Sequence, residues 1–182
     1  MITAITGGIG EGKSTVVGYL NELGYRTASA DSFARDLFTE PEVNRQLAEV
    51  SGLPYPISPH TLRSKLLSDP EIRRSINRIM HPKVIEAIYS SNAQFVEIPL
   101  LIETCLFGRF DAIWVVTCGV DEQLRRLVDR YGSEIEAKHL MQTQLPTMAK
   151  IAFADEILRT NQAPEAVRRF VSQALARRFD TG

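Results

Sequence analysis

The chain reads as an α/β protein built on a mainly parallel sheet flanked by helices. Three observations predict this. Short apolar runs alternate with helical stretches along most of the sequence. The first apolar run ends in a glycine cluster that opens a helix, a strand–turn–helix unit. At 182 residues and 44% apolar, the chain holds one domain by the prior of roughly 150 residues per domain, and can bury a core without disulfides.

The elements follow in order. Ile2 to Thr6 is apolar and reads as a buried strand. Residues 12–23 carry Val16, Val17, Leu20 and Leu23 at helical spacing, with Gly24 placed as a C-terminal cap. Residues 25–30 read as a second strand and 31–38 as helix. From 39 to 92 the pattern is charged and helical, with no convincing strand. Pro54, Pro56 and Pro59 break it early, and Pro70 and Pro82 read as helix starts. This stretch is expected to be a helical insertion within the single domain 1–182, because it is short and its neighbours on both sides belong to the sheet. Residues 95–98 and 111–118 read as strands, the second being the clearest through Ile113-Trp114-Val115-Val116. Helices are expected at 121–131 and 134–144. Leu145-Pro146-Thr147 interrupts the latter, where a lid near 130–150 can move. Residues 156–159 read as the last strand. Pro164 opens a final helix with Val167, Phe170, Val171, Ala174 and Leu175 on one face.

Composition excludes several classes. A net charge of −1 argues against a dedicated nucleic-acid binder. No apolar run is long enough for a membrane span. The N-terminus lacks a basic-then-apolar signal, so a cytoplasmic protein is expected. Cys105 and Cys118 are far apart, which suggests a reducing compartment without disulfides. His60, His81 and His139 are scattered and make no metal-ligand cluster. Of the 21 basic residues 16 are Arg, whose planar fork suits phosphate. Codon bias with surface Arg is the simpler account, above all for Arg168, Arg169, Arg177 and Arg178.

Gly7-Gly8-Ile9-Gly10-Glu11-Gly12-Lys13-Ser14 fits G-x-x-x-x-G-K-S between a strand and a helix. Its glycines let the backbone approach a ligand closely. Successive N–H groups at a helix start then form a concave anion site. Lys13 reaches the β- and γ-phosphates of a nucleotide, and Ser14 is placed to ligate Mg²⁺. A plain glycine turn explains the glycines but not the Lys-Ser pair. Glu11 is out of place beside a triphosphate and is expected to point into solvent.

A phosphate loop alone does not separate a GTPase, a motor ATPase and a kinase. No Asn-Lys-x-Asp guanine signature is present. Asp31 follows the second strand, on the carboxyl edge where ligands lie in open α/β sheets. There it can take or orient the proton of an attacking hydroxyl, or cap the following helix. Glu97, near the end of the third strand, can hold Mg²⁺ through water or be a strand-end acid without a role. Glu103 falls at an expected helix start, where the dipole favours an acid. Arg126 and Arg130 share a helix face and can clamp a triphosphate, or simply be solvated. Lys150 can join them.

In order along most of the chain, these segments resemble the dephospho-CoA kinases. The resemblance rests on Thr6-Gly7-Gly8-Ile9-Gly10 before Gly12-Lys13-Ser14-Thr15, Ala30-Asp31 with Ala34-Arg35, and Leu62-Arg63. It continues through His81-Pro82 with Val84, Pro99-Leu100-Leu101 with Glu103, and Gln123, Arg126 and Arg130. Gln144, Lys150, Ala154-Asp155 and Asn161 complete it. It implies a phosphate-loop nucleoside triphosphate hydrolase-type fold: a five-stranded parallel core, a helical acceptor region and a lid. It implies Mg²⁺-assisted transfer of the ATP γ-phosphoryl group to the ribose 3′-hydroxyl of dephospho-CoA, the last step of coenzyme A synthesis. Lys13, Asp31 and Arg130 would be catalytic, with Asp31 the base. Gly8, Gly10, Glu11, Gly12, Lys13, Ser14, Thr15 and Asn161 would bind ATP. Asp31, Arg35, His81, Pro99, Leu100, Leu101 and Glu103 would meet the acceptor. The departures are Ser29 for the first Asp of an Asp-Ala-Asp segment, Glu97 for a usual Asp, Glu11 for a small residue, and a short region 39–60. The rival readings are a phosphate-loop kinase of a nucleoside monophosphate and a nucleotide-dependent switch with no acceptor.

Overall fold

A computed structural model describes residues 1–179. Its centre is a five-stranded sheet of β1 (Thr3–Thr6), β2 (Thr27–Ser29), β3 (Phe95–Glu97), β4 (Ala112–Thr117) and β5 (Glu156–Arg159), ordered β2-β3-β1-β4-β5. The ladders of β1 with β3, β1 with β4, and β4 with β5 are parallel, and Ala4 lies between Val96 and Ile113. The α/β expectation therefore holds. Every residue of β1 and β4 is buried, as strands covered on both faces demand. Parallel pairing puts the carboxyl ends of β1, β3 and β4 on one edge.

The helices are α1 (Lys13–Glu22), α2 (Ala30–Thr39), α3 (Pro41–Ser51), α4 (Pro59–Ser68) and α5 (Pro70–Ser90). They continue as α6 (Val120–Tyr131), α7 (Glu134–Gln142), α8 (Thr147–Ile151) and α9 (Pro164–Phe179). Among the described residues no helix is long and apolar enough to cross a membrane. α8 is new relative to the sequence reading; five residues are too few to show a helical period.

The chain forms two compact units, Met1–Thr27 with the chain from Ala93 onward, and Ala28–Asn92. The first has a core of Ile5, Val16, Leu20, Phe95, Trp114, Val116, Leu158 and Val171. Phe95 and Trp114 pack at a tilt of 52° with ring centroids 5.0 Å apart, and Tyr25 meets Phe95 edge-on at 5.4 Å. Burying each large apolar side chain stabilises the fold by about 1.5–3 kcal/mol. α9 packs against α1 and β5. Its buried stripe is Val167, Val171, Ala174 and Leu175, while Phe170 lies off it and is exposed. Three of the four C-terminal arginines have partners in this unit. Arg168 pairs with Glu22 and lies over Tyr19, Arg177 grips both oxygens of Glu156, and Arg178 Nε donates to Thr3 Oγ1. Arg168 and Arg177 nevertheless remain more than half exposed, as the surface-Arg account expects, while Arg178 is half-buried.

In the second unit α2, α3 and α4 each pack on α5. Its core holds Val43, Leu47, Ala48, Ile57, Leu62 and Ile76. Pro41, Pro59 and Pro70 sit at the first position of their helices, where a missing N–H costs nothing. Ser58 caps α4 by accepting from Thr61 N, and Asp69 caps α5 by accepting from Glu71 N and Ile72 N. Pro82 does not start a helix, because α5 runs through it. The lost hydrogen bond is offset by burial of Ile76 before it and of Val84, Ile85 and Ile88 after it.

Candidate active site

β1 delivers the chain to Gly7, whose backbone lies against β4. A Cβ there would stand 2.3 Å from Val116 O, so only glycine fits. At the far end Gly12 has φ 89°, and a Cβ would meet Thr160 Oγ1 at 2.8 Å. Gly12 is the N-cap of α1, so the helix starts at Lys13. Ser14 and Thr15 are exposed on its first turn, where the dipole is positive, and Thr15 N donates to Gly12 O at 3.1 Å. Lys13 is buried, and its Nζ donates to Gly7 O at 3.2 Å and Gly8 O at 2.9 Å. Gly8, Gly10, Gly12, Lys13, Ser14 and Thr15 thus come together as one concave loop.

Glu11 does not point into solvent. It is 1% exposed. Its Oε2 accepts from Thr147 Oγ1 at 2.6 Å and from Gly8 N at 3.1 Å, and its Oε1 accepts from Thr117 Oγ1 at 3.4 Å. Its carbonyl accepts from Thr160 Oγ1 at 2.6 Å. A buried carboxylate is tolerated only when its lone pairs are filled, and these hydroxyls and the amide fill them. Ile9 is held from both sides: Gln123 Nε2 donates to its carbonyl at 2.9 Å, and its N–H donates to Gln144 Oε1 at 3.0 Å. Beside this network lies a cavity of about 470 Å³, walled by Gly8, Glu11, Thr117, Gln123, Leu145 and Thr147 among others.

The loop after β3 forms a neighbouring wall. Pro99 O accepts from Thr6 Oγ1 at 3.2 Å and from Lys150 Nζ at 2.8 Å. Lys150 is fully buried and pairs with Glu103 Oε1 at 2.8 Å, which also accepts Leu145 N at 2.9 Å. Lys150 therefore does not join the arginines on phosphate; a carboxylate and a carbonyl engage it. Glu103 starts no helix either. Residues 99–105 are turns closed by Thr104 N to Leu100 O and Leu106 N to Leu101 O. Leu101 is buried and Leu100 exposed. Glu97 is half-buried at the end of β3.

On α6, Arg126 Nε pairs with Glu122 at 2.8 Å, and its other nitrogens reach Thr160 O at 2.6 Å and Gly10 O at 3.5 Å. It therefore touches the phosphate loop. The hydrogen bonds from Arg125 and Arg126 hold the Glu122 carboxyl at about 2. Arg130 is exposed in the last turn of α6, its guanidinium 5.4 Å from the Tyr131 ring centre. Asn161 is exposed just after Thr160. Burial pushes the Cys118 thiol up to about 11, which keeps it protonated and unfit as a nucleophile.

The remaining candidates lie in the second unit. Asp31 is exposed at the second position of α2, with Arg35 one turn on. Ser29 holds the N-cap position, so Asp31 is not the cap. On α5, Arg74, Asn77, Arg78, His81 and Pro82 line an open cleft of about 470 Å³. Burial lowers the pKa of His81, which favours the neutral imidazole.

Three residues of the loop network escaped the sequence reading: Thr117, Thr147 and Thr160. Thr117 ends β4 and Thr160 follows β5. Hydroxyls at the carboxyl ends of strands are a usable signal, since ligands gather there. Thr147 had none, because α8 was not expected.

Comparison with known proteins agrees with this geometry. The family model CoaE, dephospho-CoA kinase, matches residues 1–165. A curated dephospho-CoA kinase of Shouchella clausii (strain KSM-K16) is 34% identical, over 97% of this chain and 98% of its own. The crystal structure of TT1252 from Thermus thermophilus superposes with TM-score 0.80 at 30% identity, covering 97% of both chains. A dephospho-CoA kinase from Campylobacter jejuni, at TM-score 0.69 and 22% identity over 98% and 97%, shares the fold. A phosphate loop on a 2-3-1-4-5 parallel sheet, with a family match over most of the length, leads to one conclusion: the chain belongs to the dephospho-CoA kinase family.

Proposed function

We propose that the chain moves the γ-phosphoryl group of ATP to the 3′-hydroxyl of dephospho-CoA, giving coenzyme A and ADP, and that the residues assembled above divide this work between them. The observation that carries the reading is the phosphate loop, with Lys13 across it and Ser14 and Thr15 exposed at the positive end of α1. Gly10 and Gly12 offer main-chain donors to the phosphates, Gly8 lines the loop beside them, Thr15 offers its exposed side chain, and Lys13 offers a cation. Arg126 and Asn161 belong beside the nucleotide, and Arg130 is the cation of the lid, near 130–150. The acceptor oxygen attacks the γ-phosphorus as the bond to the β-phosphate oxygen breaks, and Asp31 takes the hydroxyl proton.

The donor set suits Mg²⁺. Among the described residues no cluster of three or more His, Cys, Asp or Glu side chains could hold a metal ion. Mg²⁺ needs only one or two protein oxygens beside phosphates and waters. The Ser14 hydroxyl would hold it, with Glu97 acting through water. When bound, it neutralises charge on the β- and γ-phosphates.

For the acceptor, Arg74 and Arg78 stand four apart on α5, a like-charge spacing that destabilises a helix. Neither has an ion-pair partner among the described residues, which suits a cleft for the acceptor diphosphate beside His81 and Arg35. Pro99, Leu100, Leu101 and Glu103, whose Oε2 is buried without a partner among the described residues, are the further residues proposed to meet the acceptor. The protein is expected to work in the cytoplasm. A coupled ADP assay tests the reading: ADP forms with dephospho-CoA and not with AMP or CMP. Turnover of AMP or CMP alone would assign the acceptor site to a nucleoside monophosphate. Slow hydrolysis indifferent to any acceptor would make the chain a switch.

A further inference from the structure

We propose that Glu11 and Thr147 are a positioning pair for ATP. Together they fix the Gly8 end of the phosphate loop onto α8, without touching the reacting atoms. The inference rests on the phosphate-transfer reading above and names what holds that loop in shape.

Three groups close a triangle. Gly8 N–H is shared between Glu11 Oε2 at 3.1 Å and Thr147 Oγ1 at 3.2 Å, and the Thr147 hydroxyl donates to Glu11 Oε2 at 2.6 Å. One hydroxyl serves both neighbours, because it gives its single proton to the carboxylate and receives the amide on a lone pair. Thr147 is 8% exposed and Glu11 1%. Water therefore competes poorly, and a short O–H···O⁻ contact is among the strong hydrogen bonds of proteins. Any side chain on Gly8 would strike the same corner: its Cβ would stand 3.1 Å from Thr147 Oγ1 and 2.6 Å from Gln123 Nε2.

The geometry has a direction. Thr147 opens α8, and Lys150 one turn later is buried against Pro99 O and Glu103. α8 is thus pinned at both ends, by the phosphate loop and by the loop after β3. A five-residue helix has little propensity of its own to hold it in place. Polar contacts at its two ends set its position, and through Thr147 it sets the position of Gly8. The loop amides bind phosphate well only if their directions are fixed before the nucleotide arrives. Losing the pair therefore weakens ATP. A carboxylate that served stability alone would leave both KM values in place.

Steady-state kinetics of the full chain with ATP and dephospho-CoA test this. Thr147→Val keeps the shape and removes the hydroxyl, and Glu11→Ala removes the carboxylate. Each should raise KM for ATP about tenfold, the effect of losing one charge-assisted hydrogen bond. KM for dephospho-CoA should stay within about twofold. Thr147→Ser and Glu11→Gln, which keep the hydroxyl and an acceptor oxygen, should restore most of the ATP affinity. The double variant Glu11→Ala/Thr147→Val should be no worse than the weaker single, because the two act as one unit. Unchanged KM for ATP, an equal rise in both KM values, or independent multiplying effects would each overturn the pair. A wild-type chain that makes no ADP with dephospho-CoA would instead overturn the acceptor assignment. MgADP titration of the same variants, by calorimetry, would then still decide the pair: a loss of affinity of about tenfold supports it and an unchanged affinity overturns it.

Discussion

Asp31 shows what one residue's position decides. It lies at the second position of α2 and not at its cap, so the helix makes no hydrogen-bond claim on its carboxylate beyond the favourable dipole of the first turn. Its exposure leaves it open to an acceptor. Asp31→Asn should therefore lower kcat by about 10²–10⁴, the usual worth of a general base, with KM for ATP within about twofold. Stability should change by no more than about 0.5 kcal/mol, as for other exposed positions. Stopped-flow or steady-state ADP release reads this, and a near-normal kcat would reduce Asp31 to a dipole partner. The loop residues were legible because Gly12-Lys13-Ser14 carries its chemistry in adjacent positions. The direction of Glu11 was not, because its partners Thr117 and Thr147 are 106 and 136 residues away. No local pattern announces such a hydroxyl.

At the level of elements, strands were legible where burial on both faces writes an unbroken apolar run, as in β4. A helix start was legible at Pro70 of α5, whereas Pro59, expected as a break, opens α4 behind its Ser58 cap. Pro82 misled because tertiary burial on both sides of it outweighs the local break, and α8 was missed because five residues carry no period. Two helices carry predictions. On α5, Arg74→Ala/Arg78→Ala should raise KM for dephospho-CoA by about tenfold or more and leave KM for ATP unchanged, since in the proposed acceptor cleft each would remove a charge-assisted contact to diphosphate. Its loss should also flatten the salt dependence of acceptor binding. Equal KM values in variant and wild type would make these arginines a solvated face. On α6, hydrogen bonds from Arg125 and Arg126 hold Glu122 at about 2, below its ordinary 4.5. A depressed folded value contributes stability that is present above 4.5 and is lost as pH falls toward 2. Glu122→Gln should thus lower the melting temperature at pH 7, and the gap to wild type should close between pH 4.5 and 2. A gap that stays constant across that range would remove the ion pair as its cause.

For the whole molecule, a net charge of −1 conceals local anion chemistry. One unit concentrates it in loop amides and Lys13, and the other in Arg74 and Arg78, which have no carboxylate partner among the described residues. The two sites should therefore respond to different ligands, and thermal unfolding can separate them. A ligand that binds only the native state at 100 times its Kd stabilises it by about 2.7 kcal/mol. For a chain of this size that raises Tm by about 5–10 °C. MgADP should give such a shift in the wild type and in Arg74→Ala/Arg78→Ala, and none in Lys13→Ala. Dephospho-CoA should shift the wild type and Lys13→Ala, and lose its effect in the α5 variant. Lys13→Ala alone also leaves Gly7 O and Gly8 O without the Nζ donor, so its ligand-free Tm should fall by a few degrees, about the worth of one or two hydrogen bonds. If either substitution abolished both shifts, nucleotide and acceptor would share one set of cations. The division of labour between the phosphate loop and the α5 cleft would then be wrong.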